Sequence, residues 1–175
     1  VFSEDDEARW LIGGIIEALN PALMSHIDFI EASFGCDTLI QLYEHDYPYM
    51  KDRIIVFDGD VTDEQIGKIP KRYLKEAKNI VRLPGTVRPE QLIWNFLSNA
   101  EESDPVWESL GRYEYTYRSI VENGPMTSAY AQYGTERNKY KAWLKDCEGD
   151  FRRAGVIECW VAANPSIAWD FVEAF

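Results

Sequence analysis

A continuous apolar stretch within residues 53–57 ends abruptly at the acidic motif Asp58-Gly59-Asp60. Consecutive apolar residues with charge on either side are typical of a strand buried on both faces, and such strands occur mainly in parallel sheets. Successive parallel strands are joined by crossover connections, which are usually helices. This stretch therefore favours an α/β fold in which the acidic motif follows a central strand.

The rest of the first half repeats the order of strand and helix. Strands are predicted at residues 1–4, 26–33, 53–57 and 79–83, and an amphipathic helix follows the first of them and ends at Asn20-Pro21. We expect a parallel sheet of about four strands flanked by helices, with a mostly helical C-terminal extension. The predicted domain has its core at residues 1–95 and a helical extension of the same domain at residues 96–175.

Charge is distributed unevenly along the chain. The 175 residues include 18 basic and 30 acidic ones, a net charge of −12. Residues 1–64 contain 15 of the acids and three bases, so the whole excess lies there. This distribution argues against a basic surface that coats phosphates along its length. A solvated acidic surface remains the alternative to a functional cluster of carboxylates.

Composition also limits the class of protein. A hydrophobic fraction of 46% is enough to fill a core and excludes a disordered chain. Three widely spaced cysteines indicate reduced thiols rather than a disulfide framework or a zinc cluster. Neither a membrane-spanning apolar run nor a signal peptide is present, and we expect a cytoplasmic location without membrane contact.

Carboxylates follow the predicted strands at the point where ligands bind in parallel sheets. Asp58 and Asp60 are separated by one residue, and Glu4 ends the first strand, so the carboxyl ends of neighbouring strands would collect them. Mg²⁺ and Mn²⁺ prefer such oxygen ligands. Acidic residues and glycine are also ordinary turn formers. Glu90, after the fourth strand, either completes this group or interacts with a helix dipole.

These motifs resemble the TOPRIM domain of topoisomerases, primases and the OLD (overcoming lysogenization defect) family of ATPase-linked nucleases. The matching features are Glu4-Asp5 at the end of a strand, Gly35 after the second strand, and the Asp58-Gly59-Asp60 motif. The Pro89-Glu90 helix start makes the OLD nucleases the most similar group. The resemblance covers about residues 1–95 and implies a TOPRIM-like, Rossmann-like fold.

The resemblance also implies roles for individual residues. Glu4 would be a metal ligand or general base, Asp58 and Asp60 would bind the catalytic Mg²⁺ or Mn²⁺, and Glu90 would support a second ion. Many OLD enzymes have another aspartate where this chain has Ala8, so that ligand is absent or is supplied by Asp5. The number of metal ions, one or two, stays open.

Basic residues are the candidates for contact with substrate. In the family a late lysine neutralises the phosphate, and Lys141 is favoured here within a cluster that includes Arg137 and Lys139. Gly35 is assigned to substrate binding by the resemblance. Residues at helical spacing that could contact a nucleic-acid strand, or simply form a solvated face, are Lys68, Lys71, Arg72, Lys75 and Lys78.

The function implied by the resemblance is metal-dependent endonuclease cleavage of DNA, in defence against phage. The sequence GxxxxGK followed by Ser or Thr does not occur, so an ABC-type ATPase portion that uses ATP would precede Val1. The full protein would then be a homo-oligomer. Two alternatives remain open, namely a two-component receiver domain phosphorylated on Asp58 and a catalytically inactive TOPRIM-like interaction module.

Overall fold

A small parallel sheet organises the N-terminal half of the chain in the computed structural model, which describes residues 1–74 and 78–175. Its strands are β1 (Phe2–Ser3), β2 (Ile55–Phe57) and β3 (Ile80–Arg82), in the order β1-β2-β3. Both pairings are parallel, with Phe2 opposite Ile55 and Ile55 opposite Ile80. The mixed α/β class with a parallel sheet flanked by helices is confirmed, and β2 is central and fully buried.

The predicted sheet of about four strands is wrong by one strand, because residues 26–33 form no strand. The segment runs beside β1 with irregularly spaced backbone hydrogen bonds. The Val1 amino group donates to Asp28 O (2.6 Å), Ile30 N–H donates to Val1 O (3.0 Å), and the following Phe34 N–H donates to Glu4 O (2.8 Å). Between these, the Ala32 carbonyl accepts a hydrogen bond from the Arg9 guanidinium at 2.8 Å. A side chain thus occupies an acceptor that a regular ladder would use.

The described residues divide into two compact units, Val1–Pro89 with Asn164–Phe175, and Glu90–Ala163. Besides the sheet, the first unit contains α1 (Asp6–Leu19), α2 (Pro21–Met24), α3 (Cys36–His45), α4 (Tyr47–Met50), α5 (Asp63–Ile66), α6 (Lys71–Leu74) and, from the end of the chain, α12 (Pro165–Val172). The predicted first helix and its end at Asn20 are confirmed. The assignment of residues 1–95 and 96–175 to a core and an extension stays a prediction.

The core of the first unit follows from the alternation of side chains along the strands. Phe2, Ile55 and Phe57 share one face of the sheet and pack with residues of α3, among them Leu39 and Tyr43. Ser3 and Val56, which alternate with them, point to the other face and are also fully buried. Both faces of these short strands are therefore covered, as the continuous apolar pattern predicts.

The second unit is helical. Its elements are α7 (Pro89–Asn99, of which Pro89 belongs to the first unit), α8 (Pro105–Gly111), α9 (Tyr117–Glu122), a 3₁₀-helix (Ser128–Tyr133), α10 (Glu136–Ala154) and α11 (Val156–Ala163). The buried side of α10, which includes Trp143, Leu144 and Phe151, supplies much of its core. Within the described part of the chain, no helix combines the length and apolar character needed to cross a lipid bilayer.

Candidate functional site

Two of the predicted ligands meet at the carboxyl ends of β1 and β2. The backbone N–H of Asp58 donates a hydrogen bond to Oε1 of Glu4 at 3.0 Å. The Asp58 side chain is 2% exposed, and Glu4 is partly buried. Because β1 and β2 are adjacent and parallel, residues that follow them necessarily share one edge of the sheet. The structure therefore brings Glu4 and Asp58 together, although they are 54 positions apart in the sequence.

The third predicted ligand, Asp60, already has a cationic neighbour. Its Oδ2 lies 2.8 Å from the Arg88 guanidinium, and both side chains are about one-third exposed. The loop that carries Arg88 also contacts the middle of the acidic motif. A Cβ atom on Gly59 would lie 2.7 Å from the carbonyl oxygen of Val87 and 3.0 Å from that of Gly85. Only glycine at position 59 allows this approach of the two loops.

Asp5 has a structural task at the start of α1. It is the N-cap of this helix, and its Oδ1 accepts a hydrogen bond from the N–H of Ala8 at 3.0 Å. Ala8 itself is fully buried, so the place where many OLD enzymes carry another aspartate is part of the apolar core here. A role for Asp5 as a metal ligand stays a prediction.

Cys36 is a member of this site that the sequence did not single out. It is the first residue of α3, and burial raises the pKa of its thiol to about 11, with Glu4 next in effect. The charges of Asp37 and Asp60 also raise this pKa, whereas Lys68 lowers it. The thiol therefore stays protonated at neutral pH and is a poor nucleophile. Its position directly after Gly35, at a predicted strand end, was the available signal.

The side chains at this edge of the sheet provide the type of ligand that a hard cation prefers, because Glu4, Asp58 and Asp60 all have carboxylate oxygens. They do not form a finished site. Over residues 1–74 and 78–175, no three His, Cys, Asp or Glu side chains are grouped so that they could hold a metal ion. The carboxylates therefore fit Mg²⁺ or Mn²⁺ by chemistry, and Asp60 would have to turn from Arg88 to take part.

Four other predicted residues belong to the second unit. Glu90 lies in the first turn of α7 and is 1% exposed. Arg137, Lys139 and Lys141 lie on α10, where Arg137 is exposed and the two lysines are half-buried. Their assignment to metal support, phosphate neutralisation and substrate contact stays a prediction.

The predicted basic helix face in the first unit is not continuous. Lys68 precedes α6 and pairs with Asp37 at 3.2 Å, whereas Lys71 and Arg72 lie in the four-residue helix itself. Both are exposed, and the Arg72 guanidinium lies 4.7 Å from the centre of the Tyr73 ring. Lys75 falls outside the described residues. Among the described members of the set, Lys68 thus lies outside the helix that contains Lys71 and Arg72, and their assignment to substrate contact stays a prediction.

Gly35 is the N-cap of α3, with ordinary extended backbone angles of φ −69° and ψ 159°. It is exposed, and a Cβ atom added there would meet nothing within 4 Å. In contrast to Gly59, no close contact within the protein requires a glycine here. Its assignment to substrate binding stays a prediction.

Comparison of the chain with protein-family models, with curated proteins and with solved structures gives no match. The geometry of the sheet edge is therefore the basis for any functional assignment.

Proposed function

We propose that this chain is a TOPRIM-like nuclease domain that hydrolyses phosphodiester bonds of DNA with Mg²⁺ or Mn²⁺. The observation that carries the proposal is the hydrogen bond from Asp58 N–H to Glu4. It holds the Glu4 carboxylate against the backbone of Asp58, a nearly fully buried acid, at the ends of two parallel strands. Two acidic groups in such a place repel each other, and a bound cation offsets that repulsion.

The residues of the site would have different roles in hydrolysis. Glu4 and Asp58 would hold the ion, with Asp60 as a further ligand. When bound, the ion would lower the pKa of a coordinated water and stabilise negative charge on the phosphate. The hydrogen bond from Asp58 N–H fixes Oε1 of Glu4, so the carboxylate needs no large rearrangement to bind. Glu90 and Asp5 are proposed as supporting acids.

Arg88 is the cation that we assign to the substrate phosphate, in the role that the resemblance gives to Lys141. Both residues belong to the first unit, where the Arg88 guanidinium lies 2.8 Å from Oδ2 of Asp60. Guanidinium groups bind phosphate through paired hydrogen bonds, as they bind carboxylates. Asp60 would be able to hold a bound ion only by turning from Arg88, and Arg88 would then be available to contact the anionic substrate.

The nuclease proposal is tested by incubating the chain with plasmid and linear DNA in Mg²⁺ or Mn²⁺, beside Glu4→Gln. The glutamine keeps an oxygen that can accept the Asp58 N–H but removes the charge that binds metal. We expect cleavage to fall at least about 100-fold with the fold unchanged by circular dichroism. Asp63→Asn, which changes an exposed acid of α5 that pairs with Arg82, is the control and should retain full activity.

Other outcomes separate the alternatives. If neither the chain nor a longer version containing the proposed ATPase portion binds Mn²⁺ or cuts DNA or RNA, the nuclease proposal is wrong. Phosphorylation of Asp58 by a small phosphodonor, with no cleavage, would instead indicate a receiver domain.

Replacing Arg88 by Gln should separate metal binding from catalysis. The change removes the guanidinium beside Asp60, so we expect Mn²⁺ to bind about two- to tenfold more tightly. Cleavage should nevertheless fall by about tenfold or more, because the phosphate loses its cation. Mn²⁺ titration and a DNA cleavage assay measure the two effects. A parallel loss of both would show that Arg88 is only structural.

The partners follow from the same proposal. DNA binding by this chain alone would be weak, because the excess negative charge lies in residues 1–64. Basic contacts would come from Lys68, Lys71, Arg72, Arg137 and Lys139, and from an N-terminal ATPase portion that binds ATP. A homo-oligomeric full protein acting in antiphage defence is the cellular role that we propose.

A further inference from the structure

The second unit contains a cavity that is lined in part by four aromatic side chains. It has a volume of about 350 Å³, and it lies among the α8–α9 connection, α9, the 3₁₀-helix and α10. Its aromatic lining consists of Tyr113, Tyr115, Tyr130 and Trp143, and we call this set the tyrosine cage. Two acids, Glu114 and Asp146, line the same cavity.

The rings of the tyrosine cage are held in place by hydrogen bonds and by ring packing. The Tyr130 hydroxyl donates to Oδ2 of Asp146 at 3.0 Å, and the Tyr115 hydroxyl donates to Oδ2 of Asp150 at 3.2 Å. Trp143 packs edge-to-face on Phe151, with ring centres 5.8 Å apart. Burial chiefly raises the pKa of Tyr115 to about 12, so its phenol stays neutral at physiological pH. The cage is therefore built from fixed, electron-rich rings.

One ring of the tyrosine cage, that of Tyr113, is in contact with a positively charged side chain of the protein. The Arg153 guanidinium lies 5.7 Å from the centre of the Tyr113 ring, and its Nη2 contacts Oδ1 of Asp150 at 2.6 Å. This distance is within the range in which the face of an aromatic ring attracts a positive charge. The Tyr113 ring therefore already attracts one cation of the protein, Arg153, which does not itself line the cavity.

Glu114, one of the two acids that line the cavity, has an unusual backbone conformation. Its φ is 67°, the left-handed conformation that favours glycine. The helix end explains this angle, since Tyr115 N–H bonds to Leu110 O and Glu114 N–H to Gly111 O, the pattern of a Schellman cap. Glycine would fit this cap better. The cap thus places a glutamate, in a backbone conformation that favours glycine, at the wall of the cavity.

We propose that the tyrosine cage binds a trimethylammonium group. The volume of the cavity is 350 Å³, which accommodates such a group and a short chain attached to it. Aromatic faces attract a quaternary cation that cannot donate hydrogen bonds, and the carboxylates of Glu114 and Asp146 add charge complementarity. The site is separate from the proposed nuclease chemistry and does not depend on it.

The test is a titration of the 175-residue chain with choline and with 3,3-dimethylbutanol, its uncharged carbon isostere, followed by two-dimensional amide NMR. We expect saturable choline binding with a Kd of about 0.1–5 mM, shifts centred on the tyrosine cage, and binding of the isostere at least about tenfold weaker. N-acetyl-trimethyllysine-amide, titrated in parallel, distinguishes the sources. Tighter binding of this compound assigns the cage to a modified protein side chain, and tighter binding of choline assigns it to a free small molecule.

Two variants and a control make the result specific. Tyr113→Leu should weaken choline binding by about tenfold, and Glu114→Gln, which changes an exposed side chain, by about threefold. Tyr49→Leu removes an exposed tyrosine of α4 in the first unit that does not line the cavity, and it should leave choline affinity unchanged. Equal affinity for choline and its uncharged isostere would overturn the proposal, as would the lack of saturable binding of either trimethylammonium compound up to about 50 mM.

Discussion

Asp58→Asn should abolish metal-dependent cleavage while making the metal-free protein more stable. Asparagine preserves the shape of the side chain and leaves the backbone N–H that binds Glu4 in place. It removes the charge of a nearly fully buried carboxylate, and the burial of such a charge costs folding free energy. We expect a loss of cleavage of at least about 100-fold, and an increase in Tm of roughly 2–4 °C in the presence of a chelator.

The two readouts must be taken on the same preparation, with and without Mn²⁺. A divalent ion should raise the Tm of the wild-type chain and have little effect on the Asp58→Asn protein, because ligand binding stabilises only the state that binds it. Asp63→Asn is a suitable control, since Asp63 is an exposed residue whose side chain pairs with Arg82. Retained cleavage in Asp58→Asn would remove Asp58 from the proposed metal site.

Gly59→Ala should destabilise the first unit, although it adds a single methyl group. The new Cβ would lie 2.7 Å from Val87 O and 3.0 Å from Gly85 O, and both atoms belong to the backbone. Backbone cannot move aside as a flexible side chain can, so the loop that follows β3 must shift. We expect a loss of about 2–3 kcal/mol in the free energy of unfolding, seen as a lower midpoint in urea.

Gly35→Ala is the matched control for this change. Gly35 also lies at a predicted strand end, but a Cβ there meets nothing within 4 Å and its φ of −69° suits any residue. The expected cost is below about 1 kcal/mol, from the less favourable N-cap alone. If both variants lost the same stability, the close approach of the loops around Gly59 would not exist in solution.

The strands that hold the candidate site could be predicted from the sequence because their patterns are local. The apolar run forms β2, which is buried on both faces. A small domain has few other positions in which such a run can be covered on both sides. The meeting of Glu4 and Asp58 followed from one further rule, that the carboxyl ends of adjacent parallel strands share an edge. This part of the site needed no knowledge of side-chain contacts.

Local sequence patterns could not predict that residues 26–33 form no strand, or that Arg88 pairs with Asp60. Residues 26–33 alternate as a strand does, but the Arg9 guanidinium takes a carbonyl that a strand would pair. Arg88 is unremarkable in sequence, and only the return of its loop to Gly59 places it beside Asp60. Both outcomes depend on long-range competition for hydrogen bonds and charge, which periodicity does not report.

The final helix, α12, packs on α1 and belongs to the first unit, although residues 90–163 form a unit of their own between them in the chain. In terms of chain topology, the second unit is an insertion into the first. During synthesis the first unit remains unfinished until its last twelve residues emerge, and the buried residues Ala168, Phe171 and Val172 of α12 arrive last. The first unit, which carries the candidate nuclease site, can therefore finish folding only after the second unit and α12 have been translated.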